Sequence, residues 1–361
     1  MKKYIDCFVP IYNCNFKCHY CYVSLLDQFE INKQKFPRSA NEIIKALSKE
    51  RLGEDVYINL CAGGETLLMK DSVELVRGLL EEGHHVSVVT NGSINSRFDE
   101  IKEFPRDLLE KIFFKFSFHY LELKRLNKLA DFFNNVKKMR NVGASFTIEI
   151  TPNDELIPYI DSIKKLCIEK VGALPHCTIG RDDRRKGIDI LTDMSFEDYV
   201  KTWSVFDSDL FKYKLYLYKN KVEPFCYAGA WSYYINLATG DVRPCNCGDV
   251  FANIYDNTDI PLPVKAMGNS CRLPYCYNGH SWISLGVNPE MEHPIYTNLR
   301  NRVCEDGTEW ITSEYKKFWQ KQLFVDNDEY SAMQKGEINR MRYVENLSPR
   351  NLLIRLLYMF R

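Results

Sequence analysis

Three cysteines crowd the run Asn13-Cys14-Asn15-Phe16-Lys17-Cys18-His19-Tyr20-Cys21-Tyr22, three residues between the first pair and two between the second. Three thiolates this close on one loop suit a metal centre. A structural zinc ion asks for four protein ligands, whereas three cysteines leave one iron of a cubane cluster without a protein ligand. A second set follows far downstream: Cys226, Cys245, Cys247, Cys271, Cys276 and Cys304. Four thiolates there suit either an iron–sulfur cluster or a tetrahedral zinc. The chain has 13 cysteines, an odd number that cannot pair off completely into disulfides. Cys7, Cys61 and Cys167 sit in apolar runs (IDCFV, INLCA, KLCIE) and read as small core residues.

The elements that must position these groups alternate. Candidate strands are Lys3–Pro10, Val56–Cys61, His85–Thr90, Ile112–His119, Ser145–Thr151 and Pro175–Gly180. Candidate helices fill the gaps at Ser39–Lys49, Asp71–Glu82, Arg106–Lys111, Leu121–Val142 and Pro158–Val171. Ser39 followed three residues later by Glu42 is a capping signature. Such alternation predicts βαβ units with a parallel sheet. Six units are too few for an eight-unit barrel, so the expected fold class is α/β: an open or partial (β/α)6 barrel over residues 1–185. Its chemistry belongs at the C-terminal ends of the strands. The first cysteine run follows the first strand. Ala62-Gly63-Gly64-Glu65 follows the second and Thr90-Asn91-Gly92 the third; Ser117 and His119 share one face at the end of the fourth. Glu149 on the fifth strand and Arg181 after the sixth are further candidates.

Beyond residue 186 the rhythm changes. A helical segment (186–225, with a helix near Ser195–Phe206) leads into an aromatic, cysteine-bearing stretch (226–308). Within it Trp231–Leu237 and Val242–Pro244 flank Ala238-Thr239-Gly240-Asp241, a hairpin with a glycine turn. Residues 309–361 read as helical, chiefly Glu309–Arg342. The final run, Asn351–Arg361, is basic and amphipathic; packing on the barrel is favoured over contact with a membrane surface.

Composition narrows the function classes. With 48 basic and 48 acidic residues the formal net charge is zero, which disfavours a nucleic-acid partner. At 45% hydrophobic and 13% aromatic the chain can bury a substantial core. No apolar run reaches membrane-spanning length, and MKKYIDCFVPIYNCNF lacks the pattern of a signal peptide. A cytoplasmic protein is expected, one whose cysteines are kept reduced or bind metal.

Cys14-x3-Cys18-x2-Cys21, with the aromatic Tyr20 before the last cysteine, resembles the signature of the radical S-adenosylmethionine (SAM) enzymes. The resemblance covers residues 1–185. It implies that the three thiolates hold a 4Fe–4S cluster whose open iron is chelated by SAM. One-electron reduction then yields a 5′-deoxyadenosyl radical, which takes hydrogen from an unactivated C–H bond. It also implies that Gly63, Gly64 and Glu65 meet the methionine ammonium. Tyr20, Thr90, Asn91, Ser117, His119, Glu149 and Arg181 would complete the cofactor site, and a flavodoxin or ferredoxin would supply electrons. Cys226, the glycine-turn hairpin and Cys245 resemble the opening of the SPASM and twitch domains that follow many such enzymes. The later cysteine run of a full SPASM domain is replaced by Cys271-x4-Cys276. This departure favours a twitch-like form with one auxiliary 4Fe–4S cluster on Cys226, Cys245, Cys271 and Cys276, and with Cys247 and Cys304 as rivals.

The implied substrate is a peptide or other natural product, with a sugar or aminocyclitol as the alternative. Because the first strand starts near residue 3, no N-terminal peptide-recognition domain is expected. A zinc-stabilised, cysteine-rich binding protein is the competing class. It gives the GGE and TNG loops at successive strand ends nothing to do. No sequence feature identifies a general base or a hydrogen donor.

Overall fold

Six parallel strands stand side by side in chain order in the computed structural model, which describes residues 1–29, 36–184 and 188–347. They are β1 (Lys3–Val9), β2 (Val56–Ala62), β3 (His85–Thr90), β4 (Ile112–Ser117), β5 (Ser145–Ile150) and β6 (His176–Cys177). Each is an expected strand. β6 is cut to two residues, because its pairing with β5 extends only from Glu149↔His176 to Ile150↔Cys177. The α/β class and the partial-barrel order of the strands therefore hold.

Period-two alternation gives the sheet two different faces. On the outer face Ile5, Cys7, Leu60, Val88, Phe114, Phe116, Ile148 and Ile150 join one core with residues from the covering helices, among them Leu79, Phe98, Phe132 and Ile163. The helix Ser72–Glu81 shows why: Leu75, Val76, Leu79 and Leu80 form one apolar stripe and are all buried. The helix Ala40–Ala46 carries the expected capping box between Ser39 and Glu42. The long helix expected over 121–142 is instead two, Tyr120–Arg125 and Leu129–Asn141. The break falls at Asn127, whose φ of 54° is a left-handed value that asparagine tolerates better than most residues. A helix at Asn95–Ile101 was not foreseen.

The inner face changes character along the strands. At their N-terminal ends Tyr4, Tyr57 and Phe113 meet Trp282, Tyr296, Tyr315 and Trp319 from the C-terminal region. The Phe113 and Trp319 rings lie 4.8 Å apart edge-on, and Tyr296 and Trp319 4.7 Å apart. This aromatic plug, favourable both as buried area and as ring geometry, closes the bottom of the sheet. Towards the C-terminal ends the inner face is polar, with Asp6, Asn59, Lys115 and Glu149.

The C-terminal region does not build a sheet of its own. After a short ribbon of β7 (Arg181–Asp182) and β8 (Asp189–Ile190), the expected hairpin forms from β9 (Ser232–Asn236) and β10 (Asp241–Arg243), with β11 (Ala252–Asn253) beside it. Gly240 turns it at φ 82°, where a Cβ would sit 2.2 Å from Asn253 Oδ1. β9 then pairs in parallel with β1, from Tyr4↔Ser232 to Phe8↔Asn236. The nine-stranded order is β11-β10-β9-β1-β2-β3-β4-β5-β6. The segment expected to be helical after residue 309 resolves into Ser313–Gln320, Leu323–Asp326 and Ala332–Asn346. The amphipathic run Asn351–Arg361 lies outside the described residues. Among those described, no helix is long and apolar enough to cross a membrane.

Candidate metal centre and cofactor pocket

The three cysteines of the first loop line one pocket at the C-terminal ends of β1–β4. About 470 Å³ of empty space there is bounded by Cys14, Cys18, Cys21, Gly63, Gly64, Glu65, Thr90, Asn91, Ser117 and His119. Ten residues from four separate loops thus converge. The loop is held by its own backbone: Cys21 N–H donates to the Cys18 carbonyl at 3.1 Å, and Cys21 precedes the helix Tyr22–Leu25. Phe16 N–H points at Cys14 Sγ, 3.4 Å away.

The second loop is laced to the first. Gly63 N–H donates to the Val9 carbonyl, Gly64 N–H to Ile11 and Glu65 N–H to Asn13. The approach leaves no room for side chains: a Cβ on Gly64 would sit 2.1 Å from the Asn13 carbonyl oxygen. Gly64→Ala therefore forces the two loops apart and costs about 1–3 kcal/mol of stability, read as a fall in melting temperature. Gly336→Ala, where nothing lies within 4 Å in the helix Ala332–Asn346, is the control and is neutral or stabilising.

Glu65 is buried, and its carboxylate already accepts three hydrogen bonds. Oε1 takes Leu67 N–H at 3.0 Å and Thr90 Oγ1–H at 2.7 Å; Oε2 takes Asn91 N–H at 2.7 Å. Burial raises its pKa, and these donors oppose the shift. Asn91 Nδ2 donates to Asn15 Oδ1 at 2.8 Å, and Asn15 Nδ2 to Ser93 Oγ at 2.7 Å. Neither Asn15, inside the cysteine run, nor Ser93, one residue past Thr90-Asn91-Gly92, carries a signal for this role in the sequence. The Tyr20 hydroxyl and His119 Nδ1 share a hydrogen bond of 2.7 Å. Burial lowers the His119 pKa to about 4, so the ring is neutral near pH 7. Tyr20 thus packs behind the pocket and fixes His119 from one side.

The donor set fits an iron–sulfur cluster. Burial pushes the Cys14 thiol up to about 12 and raises Cys18 and Cys21 as well. Thiolates in such a desolvated place need a strongly cationic body among them. Among the described residues, no three His, Cys, Asp or Glu groups close on a point as a single ion requires. The thiols instead stand around a pocket.

Five of the downstream cysteines also gather. Burial drives the Cys276 thiol up, and Cys245, Cys226, Cys271 and Cys247 each add to the shift. Cys245 is raised to about 11, and Cys226 and Cys247 to about 12, again chiefly by burial. Cys304 is elsewhere. It lies in the outer-face core, with its thiol directed at the Val171 carbonyl 3.3 Å away, so it is no rival within this group. Cys7 and Cys167 are core residues as expected. Cys61 is not: it shares the face of Asn59 rather than that of Leu60 and lines a cavity on the inner side of the sheet.

That cavity holds about 1270 Å³ of empty space. It shares Val89 and Ser117 with the cysteine pocket. Glu149 and Arg181 line this cavity and not the cysteine pocket. Asp6, Lys115, Lys214 and Arg300, which the sequence did not mark, line it too. A lysine between phenylalanines in Phe114-Lys115-Phe116 was the one local signal, since a strand residue there must face something polar.

Residues 8–154 match the sequence profile of the Radical SAM superfamily. A protein of Methanocaldococcus jannaschii, named as a candidate glycyl-radical enzyme activating enzyme, is 30% identical over 161 residues. The match covers 43% of this chain and 58% of that protein's length. Among solved structures, SuiB of Streptococcus suis bound to S-adenosylmethionine is 17% identical at a TM-score of 0.47, covering 71% of this chain and 64% of SuiB. Native anSMEcpe with bound AdoMet and Cp18Cys peptide is 15% identical at a TM-score of 0.43, covering 88% and 96%. With the cysteine loop following β1 and the GGE loop laced against it, residues 8–154 are a radical SAM domain.

Proposed function

We propose that the chain is a radical enzyme that reductively cleaves S-adenosylmethionine and takes a hydrogen from a C–H bond of a peptide or other natural-product substrate. One observation carries the reading. The pocket that gathers three cysteines, the GGE loop and the TNG loop adjoins a large cavity bearing charged side chains, with Val89 and Ser117 lining both. When bound, the cluster and SAM supply a radical strong enough for an unactivated C–H bond.

The protein's own residues do the rest. Cys14, Cys18 and Cys21 hold the iron and leave one corner open. Gly63 and Gly64 bring backbone close to the methionine, and the last acceptor position on Glu65 receives its ammonium. Ser117 and His119 border the same pocket and orient the remainder of the ligand. The aromatic plug beneath the sheet keeps water from entering at the N-terminal ends of the strands. Cys226, Cys245, Cys271 and Cys276 hold an auxiliary cluster, with Cys247 as the spare thiol, and a flavodoxin or ferredoxin delivers electrons from outside.

Anaerobic reconstitution followed by iron and sulfide analysis tests the whole reading. Two 4Fe–4S clusters require about eight irons per chain. Dithionite and SAM should then yield 5′-deoxyadenosine. A colourless protein with stoichiometric zinc and no iron replaces the enzyme with a zinc-stabilised binding protein.

A further inference from the structure

The inner cavity is charged although the chain as a whole is neutral. Lys115 on β4, Arg181 on β7, Lys214 on the helix Asp209–Leu217 and Arg300 on the helix Tyr296–Arg300 line it, against two carboxylates, Asp6 and Glu149. Both carboxylates are already committed. Glu149 is ion-paired with Arg300, which is 1% exposed. Asp6 accepts from Asn59 Nδ2 at 2.7 Å; burial raises its pKa, while Asn59, the more distant Lys115 and Tyr4 oppose the shift.

Two cations, Lys115 and Lys214, are left without a carboxylate partner among the described residues, and a third, Arg181, has only a distant one. Lys214 donates to the hydroxyl of Thr178, a neutral partner. Arg181 is ion-paired with Asp183, but only loosely, across 3.9 Å. Lys115 faces the cavity without a carboxylate within ion-pair distance among the described residues. The set works against itself: burial and the nearby Arg181 bring the Lys214 pKa down to about 7 although Glu149 favours its ammonium, so an anion beside it would also hold its charge. Cations kept together at this cost, around space large enough for a ligand, are completed by an anion.

The location is as informative as the charge. One side of the cavity shares Val89 and Ser117 with the cysteine pocket. On another side Arg181, Lys214 and His280 also border a smaller pocket lined by Cys276. Whatever occupies the cavity lies between the two cysteine sets.

We propose that the cavity takes a substrate bearing a carboxylate or phosphate group, which Lys115, Arg181 and Lys214 grip. This rests on the proposed radical chemistry, with the cavity beside the cysteine pocket as the place where its substrate sits. It also separates the substrate alternatives, because a neutral sugar would leave Lys115 and Lys214 without an anionic partner.

The test reads binding and not turnover. Inorganic phosphate and malonate are titrated separately into the reconstituted full chain by calorimetry, without SAM or reductant. Saturable binding of at least one anion is expected, and the tighter of the two identifies the group. Lys115→Gln should weaken it about tenfold or more, the usual effect of losing a charged hydrogen bond. Lys115→Arg should restore it to within a few-fold, and Arg106→Gln, on a side chain 82% exposed at the surface, should leave it unchanged. If neither anion binds, or Lys115→Gln binds as the native chain does, the proposal is overturned. A native chain that binds anion but never yields 5′-deoxyadenosine overturns the radical reading instead and leaves the anion site standing.

Discussion

Replacing Cys14, Cys18 and Cys21 together by Ala abolishes 5′-deoxyadenosine formation under dithionite and removes about four of about eight irons per chain. The size of the effect follows from what else lines the pocket. Glu65 already accepts three hydrogen bonds, and His119 has one ring nitrogen engaged by Tyr20. Neither can stand in for three thiolates. The downstream cysteines lie in another part of the chain, so the auxiliary cluster proposed for them should be retained and the variant should stay coloured. Electron entry to the sulfonium then has no route. Iron analysis and product chromatography on the same sample decide the matter; residual 5′-deoxyadenosine would show that the triad is not the reducing site.

Glu65→Ala is expected to produce two separable losses. Its carboxylate offers about four acceptor positions, three of which are filled from within the protein. Removing it leaves the buried donors of Leu67, Thr90 and Asn91 without a partner, at about 1–3 kcal/mol each before the loops relax. The melting temperature should fall substantially. Affinity for S-adenosylmethionine should fall as well, by about 1.5–3 kcal/mol, because the ammonium loses a charged partner. Glu65→Gln separates the two effects. It keeps the shape and one oxygen, so stability suffers less, while the negative charge that the ammonium needs is gone. If Glu65→Gln binds the cofactor with native affinity, Glu65 is only a pin between the second and third loops.

Much of this arrangement was legible in the sequence because it is local. A strand followed by chemistry-bearing loop residues repeats four times, and Cys14, Glu65, Asn91 and His119 could each be placed from their distance to a strand end. The capping pair Ser39 and Glu42 and the glycine turn at Gly240 are equally local, and both hold. What was not legible is what distant segments do to one another. Lys214 and Arg300 come from helices whose own patterns say only that they are amphipathic or short. Their meeting with Lys115 and Glu149 depends on tertiary packing. Cys61 shows the limit from the other side. Its apolar neighbours suggest the core, but strand parity alone decides which face it takes, and here that face is the cavity. Cys304 looked like one of a series along the chain, yet it packs beside Gly172.

The pairing of β9 with β1 bears on how this protein is made. Tyr4 finds its partner Ser232 only after most of the chain has been synthesised, so the strand carrying the cysteine loop waits on one side for a neighbour from the far half. Loop closure over such a separation is entropically costly and slow, and until it occurs β1 presents an open edge to other chains. The same join means that the N-terminal portion expressed alone, ending near residue 185, would expose that edge permanently. Such a fragment should aggregate, whereas the intact chain should unfold in a single transition rather than as two independent halves.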